Sequence, residues 1–138
     1  MRGIKTCNAD QWTDARFHAY IMGWLRKAHS VWGPKNRAKT KARVRRGFYL
    51  CAGCHQEVPS SIKGVYKTGP KAGKPRKLDN ACVDHINPVV DPVEGFVSYD
   101  EVILRLFVEV DSYQILCKSC HDCKTNKERA IRAKHKRD

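Results

Sequence analysis

The sequence is short of acid. Aspartate and glutamate number 14 against 27 lysines and arginines, a formal charge of +13 over 138 residues. Such an excess repels itself unless a polyanion neutralises it, which makes nucleic acid the first partner to consider. The chain also lacks any apolar run approaching the length of a membrane-spanning helix. Its basic residues are scattered rather than set along one amphipathic face, so a membrane surface is set aside as the polyanion. The opening MRGIKTCNADQW has no apolar core of the kind a secretory signal needs. A reducing cytoplasm is therefore the expected location, and seven cysteines there point to metal before disulfides. No internal repeat occurs, and 138 residues are too few for two full hydrophobic cores. One compact unit with extensions is expected.

Between residues 12 and 32, Trp12, Phe17, Ile21, Trp24, Leu25, Ala28 and Val31 recur at steps of three and four. That spacing predicts an amphipathic helix capped by Thr13 and ended by Gly33 and Pro34, with Phe17 and Trp24 packed in a core rather than free to stack on bases. From Lys35 to Arg46, seven of twelve residues are basic and almost nothing is apolar, which reads as a solvated arm suited to phosphate contact. FYLCAGCHQEV reads as a strand running into a Cys-x-x-Cys turn. Lys63 to Lys77 holds three glycines, two prolines and six basic residues, the composition of a flexible loop inserted between strands. ACVDHI and YQIL read as short strands. Ser98 with Glu101 forms a capping box ahead of Val102, Ile103, Leu106, Phe107 and Val110, so a short helix is expected between them. From Lys118 onward there is neither proline nor glycine, and seven basic residues follow Cys123. This predicts a helix with a basic outer face, fraying toward its end.

The densest chemistry lies in ILCKSCHDCKT, where three cysteines and a histidine fall within eleven residues from Ile115. Cys117 and Cys120 form one Cys-x-x-Cys pair and Cys51 and Cys54 another, together four thiolates for a tetrahedral Zn²⁺ site. The 62 residues between the pairs exceed zinc-finger spacing, so the metal closes a long loop instead of defining a small finger. The alternatives are four unrelated buried cysteines or a redox pair, and the latter needs a strand, helix, strand pattern that neither pair has. Cys7, Cys82 and Cys123 are read as packing residues, with Cys123 near enough to stand in for Cys120.

His121 follows Cys120 directly, and neighbouring helical side chains diverge by about 100°, so it points away from the zinc. Asp84 and His85 are likewise adjacent, on a strand that turns them to opposite sides. One carboxylate and two imidazoles from separate elements can make a divalent-cation site with a spare general base, the equipment for hydrolysing a phosphodiester. The plainer alternative is a turn or a satisfied polar cluster.

CAGC, VDHINPVVDP and ILCKSCHDCKT resemble the Cys-x-x-Cys, Asp-His-Ile-x-Pro and Leu-Cys-x-x-Cys-His-x-x-Lys-Thr motifs of HNH endonucleases, the zinc-bearing branch of the ββα-metal nucleases. The resemblance spans residues 48 to 128. GFVSYDEVILRLF and WTDARFHAYI further resemble free-standing HNH endonucleases of tailed bacteriophages, often described as homing endonucleases. It implies an α+β fold: a small ββα-metal, treble-clef-like core stapled by a four-cysteine zinc site, with the N-terminal helix and basic arm attached. Residues 1–47 would be the helix and DNA-contacting arm, and 48–138 the nuclease domain with its basic loop and basic final helix. His85 would be the general base, Asp84 and His121 the ligands of a catalytic Mg²⁺ or Mn²⁺, and Cys51, Cys54, Cys117 and Cys120 the structural zinc ligands.

One departure stands out. The family has an asparagine before the second strand, and here SYQILC puts Ser112 at that place, with Asp111 beside it. Ser112 can still hydrogen-bond, and a backbone carbonyl can orient His85 instead. Asn87 is poorly positioned to replace it.

The leading expectation is thus a metal-dependent endonuclease acting on double-stranded DNA in the cytoplasm of a bacterial host. Lys35, Arg37, Lys39, Lys41, Arg43, Arg45, Arg46, Lys71, Lys74, Arg76, Lys77 and Lys124 are expected to contact DNA. The second reading is a catalytically impaired, zinc-stabilised DNA-binding module derived from such a nuclease. The third, an RNA-binding zinc ribbon, leaves Asp84, His85 and His121 without a role. Cutting both strands favours a symmetric dimer, yet no segment is an obvious seam, so monomer and homodimer are both left open.

Overall fold

A computed structural model describes residues 3–137. Their contacts define two units, one up to Trp32 and one from Gly33 onward. In the first, strands β1 (Lys5–Cys7) and β2 (Trp12–Thr13) pair antiparallel and lead into helix α1 (Asp14–His29). Thr13 caps α1 as its position predicts, its side-chain oxygen accepting from the Arg16 amide and satisfying one of the helix's unpaired first donors. The expected core stripe is corrected. Met22 and His29 are the buried residues of α1, whereas Phe17 and Trp24 are 41% and 53% exposed. Trp12, Tyr20 and Trp24 pack on one another, with ring centroids 5.1 and 6.2 Å apart, and Arg16 and Lys27 lie over the Trp12 and Trp24 rings. A unit of about thirty residues has too little facing surface to cover a four-turn helix.

The second unit runs α2 (Gly33–Lys41), β3 (Arg43–Arg45), β4 (Phe48–Leu50), β5 (Glu57–Pro59), β6 (Ser61–Val65), β7 (Pro75–Asp79), β8 (Cys82–His85), α3 (Tyr99–Leu106), β9 (Tyr113–Leu116) and α4 (Lys118–Arg137). Strands β3, β4 and β5 form one antiparallel sheet, β6 pairs with β7, and β8 pairs with β9. Two basic segments differ from expectation. Residues 35–46 are no free arm but α2 and β3, grouped with the second unit. Pro34 suits a helix's first turn, alanine and lysine favour its interior, and Ala38 is buried where α2 lies against β9. Residues 63–77 are not a flexible loop either. They complete the β6–β7 ladder from Ser61 opposite Asp79 to Val65 opposite Pro75. Gly69 and Gly73, at φ +79 and +83, serve the turn, and Gly64 leaves room for Leu78, whose Cδ1 a Cβ there would meet at 2.5 Å.

The remaining elements follow the sequence closely. The Ser98 hydroxyl accepts from the Glu101 amide and starts α3, which buries Val102 and Leu106. Arg105 donates to the Pro88 carbonyl at 2.8 Å, fastening α3 over the turn that leaves β8. Asn80, buried, donates to the Pro59 carbonyl and accepts from the Lys118 amide, so one side chain joins the end of β5 to the start of α4. Among the described residues, no helix is long and apolar enough to cross a membrane. Ser98→Ala is expected to lower the second unit's stability by about 1 kcal/mol, read from chemical denaturation followed by far-ultraviolet circular dichroism.

Candidate functional site

Two groups of side chains converge where β8, β9 and the first turns of α4 meet. The first is the cysteine set. Between β4 and β5 the chain makes a knuckle: the Cys51 amide donates to the Gln56 carbonyl, the His55 amide to the Cys51 carbonyl, and His55 takes φ +60. The Ala52 amide reaches the Ile115 carbonyl at 2.8 Å and ties the knuckle to β9. Cys117, just past β9, and Cys120, in the first turn of α4, complete the set, and all four sulfurs lie within 4.8 Å of one another. In tetrahedral Zn²⁺ coordination at about 2.3 Å per bond, sulfurs are about 3.8 Å apart, so these four fit a metal ion such as zinc with little closure.

The charge distribution over the thiols suits a cation. Burial alone raises Cys51, but the amides of Cys117, Cys54 and Gly53 aim at its sulfur and bring it from 9.0 down to about 6. Cys120, hydrogen-bonded among the sulfurs of Cys117 and Cys51 and partly desolvated, is pushed up to about 12. Cys54 is raised as well, because Cys51 and burial outweigh the Gln56 amide that favours its thiolate. One preformed thiolate among crowded thiols binds a divalent metal by shedding protons. Gly53 makes the crowding possible, since a Cβ there would lie 2.9 Å from Cys120 Sγ and 3.0 Å from its Cβ.

The second group lines a cleft of about 310 Å³ bordered by Asp84, His85, His121, Lys124, Glu128 and Arg132. Register explains who meets whom: Asp84 lies opposite Gln114, and His85 opposite Tyr113. Gln114 Nε2 donates to Asp84 Oδ2 at 2.9 Å, and Lys124 Nζ pairs with that same oxygen. Asp84 Oδ1 lies 3.8 Å from His121 Nε2, inside the ~4.2 Å that two ligands of one ion at about 2.1 Å can span. His85 Nε2 is 2.8 Å from the Leu106 carbonyl, which only accepts, so Nε2 carries the proton and the basic lone pair is on Nδ1. The Tyr113 hydroxyl donates to the same carbonyl, and its ring packs 4.9 Å from that of His85.

The structure thus brings Asp84, His85 and His121 to one cleft, next to the four cysteines. Ser112 is elsewhere. It is exposed, in the turn Val110–Ser112 ahead of β9, where its carbonyl accepts from the Ile86 amide at 3.0 Å, and with Asn87 it borders a neighbouring hollow. Lys124 sits inside the cleft on Asp84, only 24% exposed, rather than on an outer face. Lys35, Arg37, Lys39 and Lys41 lie on α2, with Lys39 over the Tyr49 ring and Lys41 3.5 Å from Asp111. Arg43 and Arg45 lie on β3, with Arg46 just after it. Arg45 is 3.6 Å from Glu57. Lys71 and Lys74 are in the β6–β7 turn, Arg76 and Lys77 on β7. Sequence reasoning missed Gln114, the Leu106 carbonyl and Gly53. Of these only Gly53 had a local signal, a glycine inside a Cys-x-x-Cys. Comparison of the chain with family models, with curated proteins and with solved structures found no match in any of the three.

Two outcomes follow from the cysteine geometry. The purified chain is expected to hold one zinc per molecule by elemental analysis, and reloading the stripped protein should release protons at neutral pH, with Cys54 and Cys120 among their sources, so affinity falls as the solution is acidified. Gly53→Ala is expected to weaken zinc about tenfold or more in a chelator competition, because Cys120 must move off its place in the set.

Proposed function

We propose that this chain is a metal-dependent endonuclease of the HNH type, hydrolysing phosphodiester bonds of double-stranded DNA, with a role like that of the phage homing-type enzymes. The observation that carries the reading is the cleft. A strand end bearing Asp84 and His85, a paired strand and then a helix bearing His121 follow in the order of a ββα-metal site, with Asp84 Oδ1 and His121 Nε2 3.8 Å apart.

In this reading Asp84 and His121 would hold Mg²⁺ or Mn²⁺. When bound there, the ion supplies positive charge against the phosphorane and the leaving oxygen. His85 takes the proton of the attacking water on Nδ1. Its orientation comes from the Leu106 carbonyl, held in turn by α3 and shared with Tyr113. That contact supplies the steadying that the family asparagine gives, and the Ser112 carbonyl restrains the next residue, Ile86. Both favour an active enzyme over an inert binding module. The exposed cations of β3 and the β6–β7 hairpin suit phosphate contacts, which position DNA without reading its sequence.

Relaxation of supercoiled plasmid with Mg²⁺ or Mn²⁺ tests the reading, wild type against His85→Ala at equal zinc content. The wild type is expected to nick or cut, and the variant to be slower by about 10²-fold or more. Equal rates remove His85 from the base role. If neither protein cuts with any divalent ion while both bind DNA in a salt-sensitive way, the nuclease reading gives way to the DNA-binding module.

A further inference from the structure

Lys124 occupies a cation's place. Its ammonium rests on Asp84 Oδ2 and the His85 carbonyl, with the Ile86 carbonyl at 3.4 Å, three oxygens around one positive charge. Glu128, one turn further along α4, lies 3.6 Å from it. Gln114 donates to Asp84 Oδ2 as well. An oxygen that already accepts from an ammonium and an amide has no lone pair left for an ion. Asp84 therefore offers a single oxygen, Oδ1, on the side of His121.

Resting on the reading of Asp84 and His121 as ion ligands, we propose that Lys124 is a resident cation that keeps the divalent ion weakly held in the free protein. It acts in two ways. Its fixed charge repels a second cation a few ångströms away in a half-buried cleft, where screening is weaker than in water. It also confines Asp84 to one-oxygen ligation. A bound phosphodiester adds negative oxygens to the same cleft and offsets the repulsion, so the ion is taken up fully only together with the DNA backbone. Lys124 is thus a positioning residue for the ion, distinct from the outward cations that grip phosphates.

Mn²⁺ titration of the zinc-loaded full chain without DNA, read by electron paramagnetic resonance, tests this independently of cleavage. Lys124→Gln and Lys124→Met remove the charge, Lys124→Arg keeps it, and His121→Ala is made in the wild-type and Lys124→Gln backgrounds. The charge-free variants are expected to bind Mn²⁺ about tenfold or more tighter, with Lys124→Arg near wild type, and the tight site should vanish with His121→Ala. If neither charge-free variant binds more tightly while His121-dependent Mn²⁺ is seen, the inference falls and the cleft keeps its ion. If no variant shows His121-dependent Mn²⁺, the reading of the cleft as an ion site fails and takes the inference with it.

Discussion

Everything in the second unit depends on four sulfur atoms meeting. Its strands are three to five residues long, too short to hold register by their ladders alone. The buried cluster around the cysteines contains only Cys51, Val58, Leu116 and Cys117, two apolar residues and two of the sulfurs themselves. With so little apolar surface removed from water around them, a metal held by the four thiols would fasten the knuckle to β9 and the first turn of α4 more strongly than packing alone. The cleft inherits its geometry from that closure. Cys120 and His121 are consecutive on α4, so fixing one sulfur fixes the origin of the imidazole that faces Asp84.

Backbone carbonyls and one amide do the finer alignment. Leu106 ends α3, and its carbonyl gathers both the His85 ring and the Tyr113 hydroxyl. Asn80 fastens the start of α4 to the end of β5. Leu106 acts through its backbone alone, and the Asn80 side chain is spent on two backbone groups, yet the first orients His85 and the second fixes the helix start from which Cys120 and His121 project.

That division also explains what could be read from the residues alone. Thr13 and Ser98 announced their helices because capping is settled within three or four positions, and the two Cys-x-x-Cys pairs announced themselves because their spacing is local. Helix α2 stayed hidden because a single alanine, Ala38, docks it, and one small residue among four charges leaves no periodic trace. The β6–β7 hairpin was masked by glycines that look like flexibility but serve a turn and make room for Leu78. Phe17, Tyr20 and Trp24 fall at helical spacing on α1 yet are exposed, so periodicity alone misassigned Phe17 and Trp24 to a core. Gln114 and the Leu106 carbonyl reach the site only through strand register and the placement of α3. Both are tertiary facts.

The division of the chain at Trp32 has an optical consequence. All three tryptophans, Trp12, Trp24 and Trp32, belong to the first unit, and none to the second. Intrinsic tryptophan emission therefore originates in the first unit alone. The second unit has its own chromophores. Tyr113 sits against His85, and cobalt bound by the four thiols would add visible absorption. Each unit thus carries a reporter of its own, without an attached dye.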